Sequence, residues 1–528
     1  MDYDIVIVGA GSAGCVLANR LSADARRKVL LIEAGGSDRH PYIQMPGGIA
    51  RLAGQRRLNW GFVTEPEPQL DNRRLWWPRG RALGGSSAIN AMCYVRGVPQ
   101  DYARWAAASG ESEWAWDAVL PLFRGVEDNI RGADPWHGSG GPLGVSDLRH
   151  HNPLSDALIE SAEAAGFGRN PDFNGPRQAG FGLYQVTQRD GLRCSSAAAF
   201  LAPARDRPNL TVSTRTLTER VLIDRGRAVG VEVRPGGGES RRIEAGEVVL
   251  CGGAINSPQL LMLSGIGPAD HLRAHDVPVV LDQPQVGENL QDHLDVCTLV
   301  SCTQPVTYDR INVVAAGLRF LLTRQGVGTS NAAEAGGFVR SRFAEDERCD
   351  LQFHFVPALL DDHGRHRLPG WGYTLHACVL HPHSRGRIRL RSADPAAHAA
   401  IHANYLSDAE GFDLLRMVEA ARVSREILAQ SPFDAYRGPE IFPGAQAGTA
   451  ADLVAFIRHK AETVYHPVGS CRMGGDDASV VDGRLRVRGI SALRVVDASV
   501  MPEVITGNTN APAMMIAERA SGWMRCGT

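Results

Sequence analysis

The chain opens with short apolar runs separated by a turn of small residues. Residues 4–8 and 28–32 are brief and mostly apolar, a pattern typical of buried parallel strands. Between them, a glycine-rich turn at 9–14 leads into a helix-like stretch at 15–21. This order of strand, turn, helix and strand predicts a βαβ unit, so we expect an α/β protein with a Rossmann-type sheet.

Downstream, the pattern predicts a return to that sheet and then a second, different region. Short strands alternate with turns over residues 209–250, and the apolar run 247–250 leads into a helix-like stretch at 257–263. Residues 311–459 have a different pattern of apolar and polar positions, with strand-like segments such as 351–355. We predict a nucleotide-binding domain and a discontinuous α+β substrate-binding domain. The first comprises residues 1–153, 192–310 and 460–528, and the second comprises residues 154–191 and 311–459.

An amphipathic stretch lies near the start of the second region. Val313, Val314, Leu318, Leu321 and Leu322 recur at helical spacing. We interpret them as the core-facing side of a helix. A helix that lies on a membrane surface is the alternative.

Composition excludes several classes of partner. The 528 residues carry a net charge of −2 and the pI is about 6.8, so we expect no basic surface for nucleic acid. The ten cysteines include no CxxC pair and no zinc-ligand spacing, so we predict no metal site and reduced thiols. Strand-like sequence begins by Asp4, leaving no room for a secretory signal, and no apolar run approaches the ~18 residues of a membrane span. We expect a cytoplasmic protein and leave open peripheral contact with the inner face of the cell membrane.

The turn at 9–14 has the spacing of a dinucleotide-binding motif. Gly9 allows the tight turn, Gly11 allows close approach of a pyrophosphate, and Gly14 allows close packing of helix on strand. Glu33 ends the second strand, where its carboxylate can accept hydrogen bonds from ribose hydroxyls. The predicted cofactor-binding residues of this unit are Gly9, Gly11, Ser12, Ala13, Gly14, Glu33 and Ala34. NAD and FAD both use this motif, so it does not identify the cofactor.

Four longer motifs resemble the signatures of one enzyme family. They are WPRGRALGGSSAIN at 77–90, GAINSPQLLMLSGIGP at 253–268, YHPVGSCRMG at 465–474 and GNTNAP at 507–512. In this order, and after the N-terminal glycines, they resemble the glucose–methanol–choline (GMC) oxidoreductases. The resemblance runs from Asp4 to about residue 520 and implies that family's fold.

The resemblance implies FAD as the cofactor. The implied contacts are Gly84, Gly85, Asn90 and Met92 on the flavin side, the main chain of Val221 at the adenine, and Asp497 and Ala498 near the pyrophosphate and ribityl chain. Some family members attach FAD covalently through a histidine just before the residue that matches Asn90. Ile89 occupies that position here, so we predict non-covalent FAD.

The resemblance also implies a catalytic pair, His466 and Asn510. It places His466 above the N5 edge of the flavin, and a neutral imidazole suits the base in alcohol oxidation. The amide of Asn510 would hydrogen-bond the developing alkoxide. Glu334 and His354 match positions near the substrate in the choline-oxidising branch, where they could contact substrate or be structural.

We therefore expect FAD-dependent oxidation of a primary alcohol to the aldehyde, with hydride transfer to flavin N5. Segments such as 58–60, 350–355 and 361–365 look most like the membrane-associated aliphatic alcohol dehydrogenases, which pass electrons to a quinone. Choline dehydrogenase is the nearest alternative, although aromatic residues, which often surround a quaternary ammonium, make up only 6% of the chain. The same scaffold could instead serve an oxygen-using alcohol oxidase, a flavin-dependent lyase or decarboxylase, or a non-catalytic flavin protein.

Overall fold

The computed structural model describes residues 1–52 and 54–526, which contain two seven-stranded sheets. In chain order, the strands of these sheets are β1 Tyr3–Val8, β2 Val29–Ile32, β3 Gly180–Leu183, β4 Leu210–Ser213, β5 Thr216–Asp224, β6 Arg227–Pro235, β7 Arg241–Leu250, β8 Leu294–Cys302, β9 Ala335–Val339, β10 Leu351–Val356, β11 Gly372–Val379, β12 Arg437–Phe442, β13 Glu462–Thr463 and β14 Leu493–Val495. The helices of eight or more residues are α1 Ser12–Leu21, α2 Pro99–Ser109, α3 Trp116–Val126, α4 Pro153–Ala164, α5 Gly253–Leu263, α6 Val313–Thr323, α7 Phe412–Leu428, α8 Ala450–Lys460 and α9 Asn510–Cys526.

The first sheet has the order β4-β2-β1-β7-β6-β5, with β14 paired to β7. The strands β4, β2, β1, β7 and β14 run parallel, and β5 and β6 add an antiparallel extension. Their apolar side chains are buried because helices cover the sheet. The predicted Rossmann-type sheet is confirmed, and so is the return of residues 247–250 to it.

The ends of the chain meet in this half of the molecule. Helix α1 packs on α9, the last helix. The hydroxyl of Ser12 donates to the side-chain oxygen of Asn510 at 2.7 Å, and Arg20 pairs with Glu518 at 2.8 Å. The first turn of α1 therefore lies beside the start of α9, where the GNTNAP motif ends.

The second sheet has the order β12-β8-β11-β10-β9-β3, with β13 paired to β8. All its pairings are antiparallel. It includes residues 294–302 and 462–463, which the sequence-based division assigns to the nucleotide-binding domain. The predicted domain boundaries at 310 and 460 therefore do not coincide with the division between the two sheets. The division into domains remains a prediction.

The interpretation of α6 as a core-facing helix is wrong. Its only buried side chain is Phe320, which packs against Gly328. The large apolar side chains at Val313, Val314, Leu318, Leu321 and Leu322 are exposed. The side chain of Asn312 caps the helix by accepting from the N–H groups of Val314 and Ala315, each at 3.1 Å.

Two further sequence expectations concern thiols and membrane spans. All ten cysteines are free, and nine of them are buried or partly buried. Among the described residues, we find no helix with the length and apolar character that a bilayer crossing requires.

Candidate active site

A cavity of about 1100 Å³ extends from the carboxyl end of the first sheet to the face of the second sheet. Its walls include the turn after β1, the segment around residues 85–93, the start of α6, and segments 462–467 and 508–510. It brings together most of the predicted site residues, namely Gly9, Gly11, Ser12, Ala13, Glu33, Ala34, Gly85, Asn90, Met92, His354, His466, Asp497, Ala498 and Asn510.

The glycine turn leaves an open cradle at the start of α1. Gly11 caps the helix without any side-chain hydrogen bond, and no acidic residue occupies the first turn, so the free N–H groups can receive an anion. A Cβ on Gly14 would lie 1.9 Å from the oxygen of Gly9, so helix and strand approach closely there. Gly84 donates its N–H to the carbonyl oxygen of Ala10 at 2.8 Å, and this hydrogen bond ties segment 84–85 to the glycine turn.

Glu33 lies at the end of β2, as the motif predicts. Its carboxylate accepts from the N–H of Ala10 at 3.0 Å and from that of Gly35 at 2.8 Å. Burial raises the pKa of Glu33 to about 7, and these two N–H donors oppose that shift. The carboxylate is thus oriented at the cavity wall, where a ribose would lie in a bound dinucleotide.

Val221 does not line this cavity, so its implied main-chain contact with the adenine stays a prediction. It is buried in β5, and its N–H already donates to the hydroxyl of Ser264 at 2.8 Å. Thr218, three residues earlier on the same strand, does line the cavity, and its buried hydroxyl has no hydrogen-bond partner in the described structure. Asn256 has a similarly unpaired side-chain oxygen on the same wall. Two unsatisfied polar atoms make this region the better candidate for the adenine.

Hydrogen bonds to other residues of the chain fix the side chains of Asp497 and Asn90, two further residues of the predicted cofactor site. Asp497 accepts from the N–H of Gly253 at 2.8 Å and the hydroxyl of Ser257 at 2.6 Å, so its carboxylate shapes the wall. The side-chain oxygen of Asn90 accepts from Arg193 at 2.9 Å. Ile89 lines the cavity and offers no nucleophile.

His466 is buried at the meeting point of the two sheets, in contact with a second histidine. The two Nδ1 atoms of His293 and His466 lie 3.0 Å apart, and Nε2 of His293 lies 3.0 Å from the carbonyl oxygen of Leu380. A carbonyl only accepts, so His293 carries its proton on Nε2 and presents a lone pair at Nδ1. His466 must then carry its proton on Nδ1, which leaves the lone pair of its Nε2 in the cavity.

Burial keeps these imidazoles neutral. It lowers the pKa of His466 well below the ordinary histidine value, with His293 contributing further. It also lowers the pKa of His293 to about 3. The tautomers assigned from the hydrogen bonds therefore apply throughout the neutral pH range.

Asn508, not Asn510, is the asparagine in contact with His466. Its side-chain oxygen accepts from Gln352 at 2.9 Å, which turns its NH₂ toward the histidines. That NH₂ lies 3.2 Å from Nε2 of His466 and 3.4 Å from Nε2 of His354. Asn510 also lines the cavity, but its oxygen is engaged by Ser12 at the start of α1, on the cradle side.

The backbone around His466 is fixed from both sides. The N–H of His466 donates to Asp292 at 2.7 Å, and Arg79 donates to the carbonyl of Tyr465 at 2.7 Å. Tyr465 has a φ of 72°, a conformation that non-glycine residues adopt only when their surroundings hold them. The sequence did not predict a role for Asp292, His293 or Asn508. Of these three residues, only Asn508 lies in one of the recognised motifs, GNTNAP at 507–512.

His354 and Glu334, the two candidates for substrate contact, differ in placement. His354 lines the cavity beside His466, and burial lowers its pKa to about 4. Glu334 is fully buried away from the cavity lining. Its carboxylate accepts from the N–H of Asn152 at 2.7 Å and from three hydroxyl groups, those of Ser155, Tyr308 and Ser330. The four donors hold this carboxylate in the protein interior, and the structure does not bring it to the wall of the cavity.

This arrangement, a nucleotide cradle joined to a buried histidine site, defines a class of flavoenzyme. Two family models described as GMC oxidoreductase match residues 3–295 and 382–517. The chain belongs to the GMC oxidoreductase family, as its motifs had indicated. It is therefore an FAD-dependent oxidoreductase, and its unpaired Thr218 and Asn256 atoms and its open glycine cradle fit that cofactor.

Relatives resemble the chain over almost its full length. Alcohol dehydrogenase [acceptor] of Pseudomonas putida is 49% identical, covering 98% of this chain and 95% of that protein. Oxygen-dependent choline dehydrogenase of Paraburkholderia phymatum is 45% identical, covering 99% and 92%. Among solved structures, pyridoxine 4-oxidase from Mesorbium loti is 35% identical with a TM-score of 0.91, covering 99% of each chain. A formate oxidase variant of Aspergillus oryzae, studied for FAD modification, is 25% identical with a TM-score of 0.93, covering 99% and 98%.

Proposed function

We propose that the protein oxidises a primary alcohol to its aldehyde, with Nε2 of His466 as the base. The observation that carries this proposal is the unprotonated Nε2, which the Leu380–His293–His466 chain leaves in the cavity. A positioned imidazole lone pair can remove the hydroxyl proton of a bound alcohol. The names of the relatives support the same reaction class.

The side chains around His466 have distinct parts in this reaction. His466 accepts the hydroxyl proton at Nε2 while its Nδ1–H stays hydrogen-bonded to His293. The NH₂ of Asn508, 3.2 Å from the same Nε2, can donate to the alkoxide oxygen as the proton leaves. Bound FAD supplies the two-electron acceptor for the hydride from the carbinol carbon. Residues Gly11, Ser12, Glu33 and Thr218 would hold it.

We infer that the preferred alcohol is aliphatic and of medium chain length. Apolar side chains form one part of the cavity wall, among them Ile311, Val313, Val356, Leu359 and Leu360. Each methylene that such a wall buries adds about 0.8 kcal/mol of transfer free energy. The alcohol dehydrogenase relative, at 49% identity, supports the same choice.

Choline is the second candidate because the cavity also contains buried acids. Asp295 and Glu462 line one wall, near the aromatic side chains of Trp76 and Tyr465. Asp295 is already paired with His376 at 2.6 Å, and burial raises the pKa of Glu462 to about 7. Glu462 would be the residue facing a trimethylammonium group if choline were the substrate.

The test compares alcohols and electron acceptors with the purified holoenzyme. Medium-chain primary alcohols should bleach the flavin anaerobically and give a higher kcat/KM than choline, and a ubiquinone analogue or dye should be reduced much faster than oxygen. A clear preference for choline would move the assignment to the second candidate. Hydrogen peroxide production at an equal or higher rate would make the enzyme an oxidase, and no bleaching by any alcohol would contradict the proposed oxidation.

The role of His466 has its own test. His466→Ala should retain FAD but lose roughly 10²–10⁴ in the rate of flavin reduction, the usual contribution of a positioned general base. Stopped-flow reduction measures the loss, and His459→Ala, at an exposed histidine, is the control. A rate within threefold of wild type would refute the proposal.

We also propose that FAD is bound without a covalent link, because Ile89 lies where some family members carry a histidine. Acid precipitation should release the yellow colour into the supernatant. Colour that stays in the pellet would show covalent attachment.

A further inference from the structure

We propose that α6 and the arginines around it form a docking surface for an anionic lipid bilayer, beside the mouth of the cavity. The surface comprises Leu318, Leu321 and Leu322 as its apolar centre and Arg51, Arg310, Arg319, Arg324 and Arg367 as its basic surroundings. The inference concerns where the enzyme binds and does not depend on which substrate it oxidises.

Helix α6 is apolar on both of its sides. Toward the protein, Ala316 and Gly317 line the cavity and Phe320 packs on Gly328. Away from the protein, Leu318, Leu321 and Leu322 are 56%, 66% and 83% exposed. A helix with apolar residues all around its circumference normally has both sides covered, so the outer side calls for an apolar environment.

The surroundings of this helix are basic, although the whole chain carries a net charge of −2. Residues 310–325 contain three arginines, and residues 46–57 contain three more, with no Asp or Glu in either segment. The two segments are neighbours, since a Cβ on Gly47 would lie 3.0 Å from the oxygen of Val327. An apolar centre with flanking cations is the pattern that binds anionic lipid surfaces.

Several of these arginines are free to bind headgroups. Within residues 1–52 and 54–526, no ion pair joins Arg51, Arg319 or Arg367 to a carboxylate. Arg51 and Arg367 are exposed and line the cavity at its mouth. The neighbouring carboxylate, Asp309, is already engaged by the N–H groups of Leu359 and Gly372, at 3.2 and 3.0 Å.

A bilayer fits this surface better than a second copy of the chain does. A twofold contact through α6 would bring together two copies of the same arginine-containing segments, which hold no Asp or Glu, so positive charge would accumulate at the contact. Phosphate headgroups complement the arginines instead, and the acyl region accepts the leucines.

The test is co-sedimentation of the holoenzyme with vesicles of phosphatidylcholine, with and without phosphatidylglycerol. Wild type should bind the vesicles that contain phosphatidylglycerol and be released by high salt. The variant Leu318→Ser/Leu321→Ser/Leu322→Ser should lose at least about tenfold in partitioning, because three apolar side chains no longer enter the lipid. The matched control, Ile130→Ser/Val280→Ser/Leu415→Ser, changes three exposed apolar residues elsewhere and should bind like wild type.

Three outcomes would overturn the proposal. They are no binding by wild type, equal binding by the α6 variant, and a wild-type dimer in sedimentation velocity that the α6 variant dissociates. The last result would assign the surface to a second copy. None of the three substituted leucines lines the cavity, so the α6 variant should keep its flavin spectrum and its turnover of a water-soluble alcohol. Turnover in solution therefore tests the proposed reaction separately from vesicle binding.

Discussion

At the scale of single residues, the state of His466 depends on His293, which is buried beside it. Replacing His293 with Leu removes the acceptor for the Nδ1–H of His466, so the Nε2 tautomer and ring orientation are no longer fixed. We expect flavin reduction to fall by roughly 10–10², the usual effect of losing an orienting partner. His293→Gln should recover most of the rate, because its carbonyl can accept from His466 and its NH₂ can donate to Leu380.

Stopped-flow reduction of both variants distinguishes orientation from simple packing. If the role of His293 is only to fill space, Leu and Gln should perform alike. Equal rates in the two variants would therefore contradict the orienting role.

The two asparagines of the GNTNAP motif provide a second, internally matched comparison. Asn508→Ala removes the amide beside Nε2 of His466 and should lower the rate of flavin reduction by roughly 10². Asn510→Ala removes the contact with Ser12 and should mainly weaken FAD retention. Reduction kinetics and FAD titration of the two variants check this, and a larger rate loss for Asn510→Ala would restore the sequence-based assignment.

The chemistry of individual residues was only partly predictable from the sequence. His466 lies in a ten-residue motif, so its role could be inferred from the motif alone. The choice between Asn508 and Asn510 depends on where α9 begins, since the helix start turns Asn510 toward α1. His293 had no signal, because its meaning arises only from a contact across 173 positions of sequence.

At the scale of elements, the packing of α1 on β1 depends on Gly14. A Cβ at this position would lie 1.9 Å from the oxygen of Gly9, so Gly14→Ala must displace the helix from the strand. We expect it to destabilise the protein by at least about 1–3 kcal/mol and to weaken FAD binding. Chemical denaturation and FAD titration measure these effects.

Gly522 is the matched control because it lies within α9 with nothing near its missing Cβ. Gly522→Ala should stabilise the protein by up to about 1 kcal/mol through helix propensity. If both alanine variants gained stability, the close approach at Gly14 would not constrain the fold.

The buried strands of the first sheet could be predicted because short, continuous apolar runs are typical of strands that are covered on both faces. The run 4–8 lies within β1, and residues 247–250 end β7 beside it. Helix α6 was misread because periodicity locates an apolar stripe but does not specify what covers it. The sheet to which β8 and β13 belong could not be predicted from the local pattern either, because both strands pair with partners that are remote in sequence.

At the scale of the whole molecule, the part of the cavity around His466 keeps its histidines neutral, whereas Asp295 raises the pKa of His376 on another wall. Burial lowers the pKa of His293 to about 3 and of His354 to about 4, and it depresses that of His466. The rate of flavin reduction should therefore show no acid limb near the ordinary histidine pKa of about 6.5. Stopped-flow reduction as a function of pH tests this, and a midpoint between about pH 6 and 7 that persists in Glu462→Gln, which removes a carboxyl group with a pKa of about 7, would contradict it.

The same shifts have a consequence for stability. Between about pH 6.5 and the native-state pKa of His293, about 3, unfolded protein binds a proton there that native protein does not. The free energy of unfolding therefore falls as pH decreases through this window. His293→Gln should lose less stability than wild type over the same pH range, as measured by denaturant unfolding.

The packing of α1 on α9 also determines when the FAD-binding half of the molecule can complete its fold during translation. During synthesis, the cradle for FAD at residues 9–14 is made long before β14 and α9, which complete its sheet and cover α1. Until these elements are made, helix α1 lacks its cover by α9 and strand β7 lacks its partner β14, so we expect the nascent chain to expose apolar surface. We expect stable flavin capture to require β14 and α9, so a chain truncated before residue 493 should accumulate as an apoprotein bound by chaperones.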